Sequence, residues 1–209
     1  MASLRRNMPK WLVLPSSWRR TEMAGFVAIE GLDGVGKSTI LNRLAARFSG
    51  HAMSTPGPAL RSSRPAILEA FAHDELAKAL FYAASVSSEG SHARSLVERG
   101  EWVFMDRYWA STLAYAKARG VSADLGALSK SLPQPDITIL LLLDEPDRQQ
   151  RLLARGATAE DMETFDPGFR KCVLEELMAH ADILVNATHF TAEALAIELE
   201  QRIRQLPPG

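Results

Sequence analysis

The chain has 209 residues, enough for one domain with a full hydrophobic core, and its 24 basic and 25 acidic side chains give a formal net charge of −1. This balance provides no basic field for a nucleic acid, so we expect no nucleic-acid partner. The single cysteine, Cys172, excludes an internal disulfide and suits a reducing compartment, which predicts a cytoplasmic protein. The longest apolar run, residues 137–143, is too short for a membrane-spanning helix, so we expect no membrane partner.

The chain begins with a basic N-terminal extension, residues 1–24. Residues 1–20 carry five basic side chains and no acidic one. An acid-poor basic start is compatible with a targeting segment. A flexible tail is an alternative, and so is an over-extended reading frame, because Met23 would itself make an ordinary start. We expect the folded domain to occupy residues 25–209.

The first two predicted elements surround a phosphate-binding sequence. Residues 26–30 are an apolar run that predicts a buried strand, and residues 40–48 place apolar side chains on one helical face. Between them, residues 31–39 read GLDGVGKST and fit the template G-x-x-x-x-G-K-[ST]. Glycines let backbone N–H groups approach phosphate oxygens, the lysine supplies charge, and the serine hydroxyl can ligate Mg²⁺. We therefore predict that ATP and Mg²⁺ bind here, with ATP contacted by Gly31, Leu32, Asp33, Gly34, Val35, Gly36, Lys37, Ser38 and Thr39.

Strand and helix patterns alternate along the rest of the chain. Further strands are predicted at residues 51–54, 101–106, 136–143 and 182–185. Helices are predicted at residues 63–85 with a break near 73–74, and at 91–99, 111–119, 124–132, 147–155, 168–181 and 192–206. This alternation predicts an α/β fold, a three-layer sandwich of the P-loop NTPase type with a five-stranded parallel sheet flanked by helices. Residues 156–166 are acidic and irregular, and we predict that they form a short mobile lid.

A second group of polar residues follows the strand predicted at residues 101–106. Loops that follow parallel strands meet at one edge of the sheet, so Asp106 and Arg107 are expected beside the phosphate loop. The carboxylate of Asp106 can hold Mg²⁺, and the planar guanidinium of Arg107 fits a phosphate group. Tyr108, Ser111 and Tyr115 then follow at helical i, i+3 and i+7 spacing. We expect these three side chains to line one face and to contact the substrate.

A third group consists of arginines on the helix predicted at residues 147–155. Arg148, Arg151 and Arg155 are spaced to share one helical face, which leads toward the predicted lid. For Arg148 we expect a solvated side chain paired with Glu145. Arg151 is expected to contact ATP.

These segments together resemble the thymidylate kinase family of nucleoside monophosphate kinases. The matching stretches are FVAIEGLDGVGKST (26–39), ERGEWVFMDRYWASTLAY (98–115) and PDITILLLLDEPDRQQRLLARG (135–156). The resemblance implies that the residue at Asp33 lies near the substrate sugar. It also implies that an Asp-Arg pair serves the metal and the acceptor phosphate, that a lid-entry arginine, here Arg155, closes on the donor, and that the protein is a homodimer.

Two departures from the family pattern concern arginines around the acceptor phosphate and the lid. The family usually has an arginine in the loop after the second strand, whereas residues 54–58 contain none. The nearest candidates to bind the acceptor are Arg61 and Arg64. The lid residues 159–163 contain no arginine either, although phosphoryl transfer needs positive charge for the oxygens of its transition state.

Two further departures concern the acceptor base. The arginine that normally contacts the base falls on Val86, or on Ser85 in the alternative alignment. The glutamine that commonly follows Ala-Tyr is Ala116. Tyr82, in the same segment as the missing arginine, is a candidate to wall the base. The donor half of the sequence pattern is therefore intact, while recognition of thymine is left open.

We predict an ATP-dependent phosphotransferase, a nucleoside monophosphate kinase that transfers the γ-phosphoryl group of ATP to its acceptor, with dTMP as the leading candidate and dTDP as its product. Lys37 would bridge the phosphates, Ser38 and Asp106 would hold Mg²⁺, and Arg155 would neutralise the transition state. The alternatives are a nucleoside or other small-molecule kinase on the same scaffold, and a non-catalytic nucleotide-binding protein. A hydroxyl acceptor would need a carboxylate base, and residues 51–60 contain no acid, which counts against the first alternative.

Overall fold

The structure, a computed structural model, describes residues 24–205, so the predicted N-terminal extension falls almost entirely outside the described residues. A five-stranded parallel sheet has the strand order β2-β3-β1-β4-β5. The strands are β1 (Phe26–Glu30), β2 (His51–Ser54), β3 (Val103–Asp106), β4 (Ile137–Leu142) and β5 (Ile183–Asn186). The predicted fold class and the number and direction of its strands are confirmed.

Helices cover both faces of this sheet. They are α1 (Lys37–Phe48), α2 (Pro58–Arg61), α3 (Arg64–Ala70), α4 (Glu75–Glu98), α5 (Trp109–Ala118), α6 (Glu145–Arg155), α7 (Ala159–Glu163), α8 (Pro167–Ala179) and α9 (Ala192–Gln205), with a 3₁₀ helix at Leu125–Ser131. Alternate residues of β1 enter two separate cores. Val27 and Ile29 pack with α1, α8 and α9, while Phe26 and Ala28 pack with α4. The central strand is therefore buried on both faces, as its apolar residues 26–29 predict.

The register of the sheet brings the phosphate loop and the Asp-Arg pair together. β1 lies between β3 and β4, and Ile29 of β1 is opposite Asp106 of β3. Both strands end at the same edge, so the loops that follow them are neighbours. This is the crevice beyond the carboxyl ends of the strands, where parallel α/β sheets bind ligands.

Helix α4 is longer than predicted. The helix predicted at residues 91–99 is the continuation of α4, which runs without interruption to Glu98. Serines and Gly90 reduce the local helix propensity, but Gly90 is needed for packing, because a Cβ there would lie 2.0 Å from the hydroxyl oxygen of Tyr108. The predicted break near residues 73–74 is confirmed, since α3 ends at Ala70 and Asp74 caps α4 by accepting from Ala77 N at 2.8 Å.

The predicted lid is more ordered than its sequence suggested. Residues 156–166 contain the short helix α7, which begins with a capping box in which Thr158 and Asp161 each accept a hydrogen bond from the other's backbone N–H. The prediction of irregular structure there was wrong, whereas its mobility stays a prediction. None of the helices within residues 24–205 is long and apolar enough to cross a membrane.

Candidate active site

The phosphate loop has the backbone that its glycines allow. Gly31 has φ 143°, and a Cβ on it would lie 2.5 Å from the carbonyl oxygen of Leu141, so only glycine fits. Lys37 is the first residue of α1 and is only 6% exposed. Its Nζ donates to Leu32 O at 3.0 Å and lies 3.5 Å from Asp33 Oδ1. The ammonium group is thus held inside the loop, at the positive end of a helix.

Ser38 and Asp106 lie in direct contact. Ser38 Oγ donates to Asp106 Oδ2 at 2.7 Å, and Asp106 is the last residue of β3. A hydroxyl and a carboxylate oxygen are hard ligands of the kind that Mg²⁺ prefers. The part of the chain that the structure describes has no cluster of three His, Cys, Asp or Glu side chains that could form a metal cage. Mg²⁺ at nucleotide sites is usually held by one or two carboxylates plus substrate phosphates, so the pair fits this ion.

Arg107 lies at the centre of the hydrogen-bond network. Its Nη2 donates to Asp33 Oδ2 at 2.7 Å, its Nη1 donates to Ser111 Oγ at 3.0 Å, and its guanidinium lies 5.2 Å from the centre of the Tyr115 ring. The backbone of Arg107 has φ 64°, a left-handed conformation that is strained for a residue with a side chain. Such strain is typical of functional sites, where surrounding contacts hold the residue in place.

The charged side chains of Asp33, Lys37 and Arg107 shift one another's pKa values. Burial opposes ionisation of Asp33, but the adjacent Arg107 and Lys37 hold the pKa of Asp33 well below its usual value. Burial alone would lower the pKa of Arg107, yet Asp33 raises it well above its usual value. The pKa of Lys37 is lowered by burial and by the nearby charge of Arg107.

Glu30 is a residue of the candidate site that the sequence reasoning missed. It ends β1, is 0% exposed, and accepts hydrogen bonds from Tyr108 N at 2.9 Å, from Ser111 N at 3.2 Å and from Ser111 Oγ. Burial raises the pKa of this carboxyl group above its usual value. Glu30 therefore anchors the start of α5 and, through Ser111, the guanidinium of Arg107. The available signal was a carboxylate at the end of an otherwise apolar, buried strand.

A cavity of about 460 Å³ opens beside these groups. Of the residues predicted from the sequence, it is lined by Asp33, Ser38, Arg61, Arg64, Tyr82, Asp106, Arg107, Tyr108, Ser111, Tyr115 and Arg155. One end thus carries the metal pair and Arg107, and the walls carry the predicted acceptor residues. The volume is of the size that small-molecule ligands occupy.

The predicted acceptor residues differ in how far their side chains are available. Tyr108 is 1% exposed, and its hydroxyl donates to Pro133 O at 2.7 Å, so it is mainly a core residue. Arg61 donates to Ser54 Oγ at 2.6 Å, and Arg64 donates to the hydroxyl of Tyr82 at 3.0 Å. The polar ends of these arginines therefore stay at the cavity wall.

The acids of the lid helix each contact an arginine of this cavity. Glu160 accepts from Arg64, and Asp161 accepts from Arg155 Nη2 at 2.9 Å. Glu163 accepts from Nη2 of Arg119 at 2.7 Å. Arg119 lines the cavity but was not predicted. The sequence contains a signal for Arg119, because this residue follows Tyr115 by four positions and so extends the helical face that carries Tyr108, Ser111 and Tyr115.

The other two arginines of α6 behave differently from Arg155. Arg148 was expected to be solvated, but it is fully buried. It does pair with Glu145, at 2.7 Å, and it also donates to the carbonyl oxygens of Asp33 and Thr164, both at 3.1 Å, which explains its burial. Arg151 is exposed and lies next to the phosphate loop, since its Nη1 would be 3.8 Å from a Cβ on Gly36.

The family of the chain follows from comparison with known proteins. The family model described as thymidylate kinase matches residues 29–197, which contain the phosphate loop, the Asp-Arg pair and the lid. The chain belongs to the thymidylate kinase family. The family predicted from the sequence is confirmed, and this membership agrees with the predicted ATP-dependent phosphotransferase.

Individual thymidylate kinases support this family assignment. The thymidylate kinase of Xanthomonas campestris pv. campestris (strain B100) is 33% identical across 83% of this chain and 92% of its own length. That of Xanthomonas oryzae pv. oryzae (strain PXO99A) is also 33% identical, over 67% of this chain and 65% of its own length, so the chain spans slightly less than two thirds of that relative. A solved thymidylate kinase from Candida albicans has a TM-score of 0.71 at 24% identity, covering 87% of this chain and 91% of its own, which shows a shared fold.

Proposed function

We propose that this member of the thymidylate kinase family is a nucleoside monophosphate kinase that transfers the γ-phosphoryl group of ATP to dTMP, giving dTDP. The observation that carries the proposal is that one cavity is lined both by Ser38, Asp106 and Arg107 and by the rings of Tyr82 and Tyr115. The first group suits phosphates, and the second suits a flat base. The relatives named thymidylate kinase support dTMP as the acceptor.

The chemistry needs positioning and charge more than proton transfer. Backbone N–H groups of the phosphate loop and Lys37 would bind the phosphates of ATP, and Arg107 would bind the acceptor phosphate. Arg155, on the cavity wall, would move from Asp161 to the transferred group and neutralise its oxygens. No general base is required, because the acceptor phosphate is already an anion. Arg151, exposed beside the loop, would add charge on the ATP side.

Mg²⁺ fits the hydroxyl and carboxylate of Ser38 and Asp106, which we propose as its protein ligands. When bound there, Mg²⁺ would supply positive charge that neutralises the negative charge developing during phosphoryl transfer. Asp33 would stay ionised because its pKa is held low, and its carboxylate would orient Arg107 toward the acceptor phosphate. An acceptor sugar bound between these groups would lie close to Asp33.

We also propose a homodimer in the cytoplasm that binds no nucleic acid. The family resemblance and the balanced net charge support these statements. Leu76 and Leu80, one turn apart on α4, are 41% and 47% exposed, an apolar surface that a second copy would cover. Light scattering after gel filtration would give twice the chain mass for a dimer.

The deciding experiment measures ADP release from ATP against a panel of nucleoside monophosphates and nucleosides. We expect turnover with dTMP and slower or no turnover with the others. Activity on nucleosides alone would instead identify a kinase with a hydroxyl acceptor. If no acceptor is phosphorylated but titration calorimetry still shows that the protein binds ATP, the result would identify a non-catalytic nucleotide-binding protein.

A further inference from the structure

Arg119, at the end of α5, lies on the cavity wall in a fixed position. Its Nε and Nη2 donate to Glu163 at 3.1 and 2.7 Å, and its Nε lies 3.7 Å from Glu75 Oε2. Its guanidinium lies 5.5 Å from the centre of the Tyr115 ring, and its side chain is only 14% exposed. Two carboxylates and an aromatic face thus hold this arginine before any ligand binds, which lowers the entropic cost of using it.

One nitrogen of Arg119 is left for a ligand. Among the residues that the structure describes, Nη1 has no hydrogen-bond partner, and the side chain lines the cavity. A guanidinium only donates hydrogen bonds, so its partner must be an acceptor such as a carbonyl oxygen. In a largely buried setting such a charge-assisted bond is strong.

The position of Arg119 identifies the part of the ligand that it meets. Phosphates belong at the end of the cavity with Ser38 and Arg107, so the base of a bound nucleotide lies away from Arg107, toward Tyr82. Arg107 and Arg119 lie 5.2 and 5.5 Å from the centre of the Tyr115 ring, so this ring separates them. Arg119 also lies 3.7 Å from Glu75, the first residue of α4, the helix that carries Tyr82. Arg119 is therefore at the end of the cavity that the base occupies.

The arginine that the family resemblance places beside the base is absent from this chain. Ser85 and Val86, the positions where the family resemblance calls for an arginine, are 0% and 1% exposed and do not line the cavity. Arg64 is near Tyr82, but its Nε already donates to the tyrosine hydroxyl and its Nη2 to Glu160, and its side chain is 32% exposed. The more buried Arg119 is better placed to discriminate between bases.

We propose that Arg119 is the specificity-determining residue of the acceptor site and donates from Nη1 to a carbonyl oxygen of the base. This inference rests on the proposed function, and for dTMP the acceptor atom is the 4-carbonyl oxygen. Cytosine carries an amino group at that position, which would set two donors against each other. The site therefore favours thymine and uracil over cytosine.

The test compares dTMP with an analogue whose base lacks the 4-oxygen, the 5-methylpyrimidin-2-one deoxyribonucleotide. Dissociation constants and kcat/KM are measured for wild type, Arg119→Gln and Arg119→Lys. Wild type should prefer dTMP by about 10- to 100-fold, and both variants should lose most of this preference while their KM for ATP stays unchanged. The lysine variant keeps the charge beside Glu163, so it keeps the test valid should the glutamine variant not fold. Arg99→Gln, at an exposed arginine paired with Glu101, is the matched control and should behave as wild type.

The outcomes separate this inference from the proposed function. If dTMP and the analogue weaken equally in the Arg119 variants, Arg119 only holds Glu163 and Glu75, and the inference is overturned. The same holds if Arg64→Gln, rather than Arg119→Gln, removes the preference for dTMP. If wild type neither binds nor phosphorylates dTMP or any other pyrimidine monophosphate, the proposed function fails and the inference falls with it.

Discussion

Arg148→Met tests whether a buried guanidinium connects the phosphate loop to the end of the lid. In the native protein this side chain is 1% exposed and bonds to Glu145, to the carbonyl oxygen of Asp33 and to both oxygens of Thr164. Methionine fills a similar volume but donates no hydrogen bond. The variant therefore removes the polar contacts while leaving little empty space.

The expected loss of stability depends on which hydrogen bonds the former partners of Arg148 keep. Breaking a buried ion pair from one side costs about 3–5 kcal/mol. Glu145 still has Gln149 at 2.6 Å and Arg170 at 3.2 Å, so its charge is not left alone. The carbonyl oxygen of Thr164 likewise keeps a bond from Arg170 at 3.1 Å. We therefore expect the lower end, a loss of about 3 kcal/mol, or a Tm lower by about 6–12 °C for a domain of this size.

Urea unfolding followed by circular dichroism measures this change, and thermal unfolding gives the Tm. Arg202→Met is the control, since Arg202 is exposed and pairs with Glu198 one turn away on α9, and we expect it to cost no more than about 0.5 kcal/mol. A loss below about 1 kcal/mol for Arg148→Met would refute the reasoning. The buried bonds would then contribute no more than a surface pair does.

Three further predictions concern the phosphate end of the site. Lys37→Ala should lower the ATP-dependent rate by at least about 100-fold without unfolding the protein, and a retained rate in the ADP-release assay would contradict its assigned role. Asp106→Asn should shift the Mg²⁺ activation curve to higher concentration, because Ser38 is left as the only proposed protein ligand; an unchanged curve would make the carboxylate purely structural. Asp33 has a folded-state pKa below its unfolded value of 3.8, so its stabilising effect is complete above that value and is lost as the pH falls. In urea unfolding from about pH 6 to pH 3, Asp33→Asn should lose stability less steeply than wild type.

The fold could be predicted because local signals and topology agree. Each strand is a short apolar run followed by a turn, and parallel strands joined through helices leave few arrangements. The errors arose where tertiary packing overrode local propensity. Two helices were predicted at residues 63–85 and 91–99, but α4 continues through the gap between them, and Gly90 lets it pass the hydroxyl of Tyr108, a contact that no local pattern contains. The helix α7 was missed because its capping box lies in a strongly polar stretch without an apolar face.

The site could be predicted in its phosphate half and less well in its acceptor half. The phosphate loop and Asp106 are recognised from short local patterns, a glycine-rich template and the end of an apolar strand. The register of the sheet then brings them together. Helical spacing does place Arg119 beside Tyr115, and Glu30 does end an apolar strand, but their partners Glu163 and Tyr108 are distant in sequence, so the contacts themselves are not visible in the sequence. The burial of Arg148 was missed for the same reason, since its partner Thr164 is 16 residues away along the chain.

The acidic side chains of the lid complement the positive charge of the cavity. Residues 159–163 contain no arginine, and their three acids pair with Arg64, Arg119 and Arg155. Positive charge in this protein therefore lies on the cavity walls, and an arginine-bearing lid would repel it. In the proposed reaction Arg155 would exchange Asp161 for the transferred phosphoryl group, while Arg119 would keep Glu163. Neither guanidinium would then be buried without a counter-charge, with or without substrate, which would keep the desolvation cost of substrate binding low.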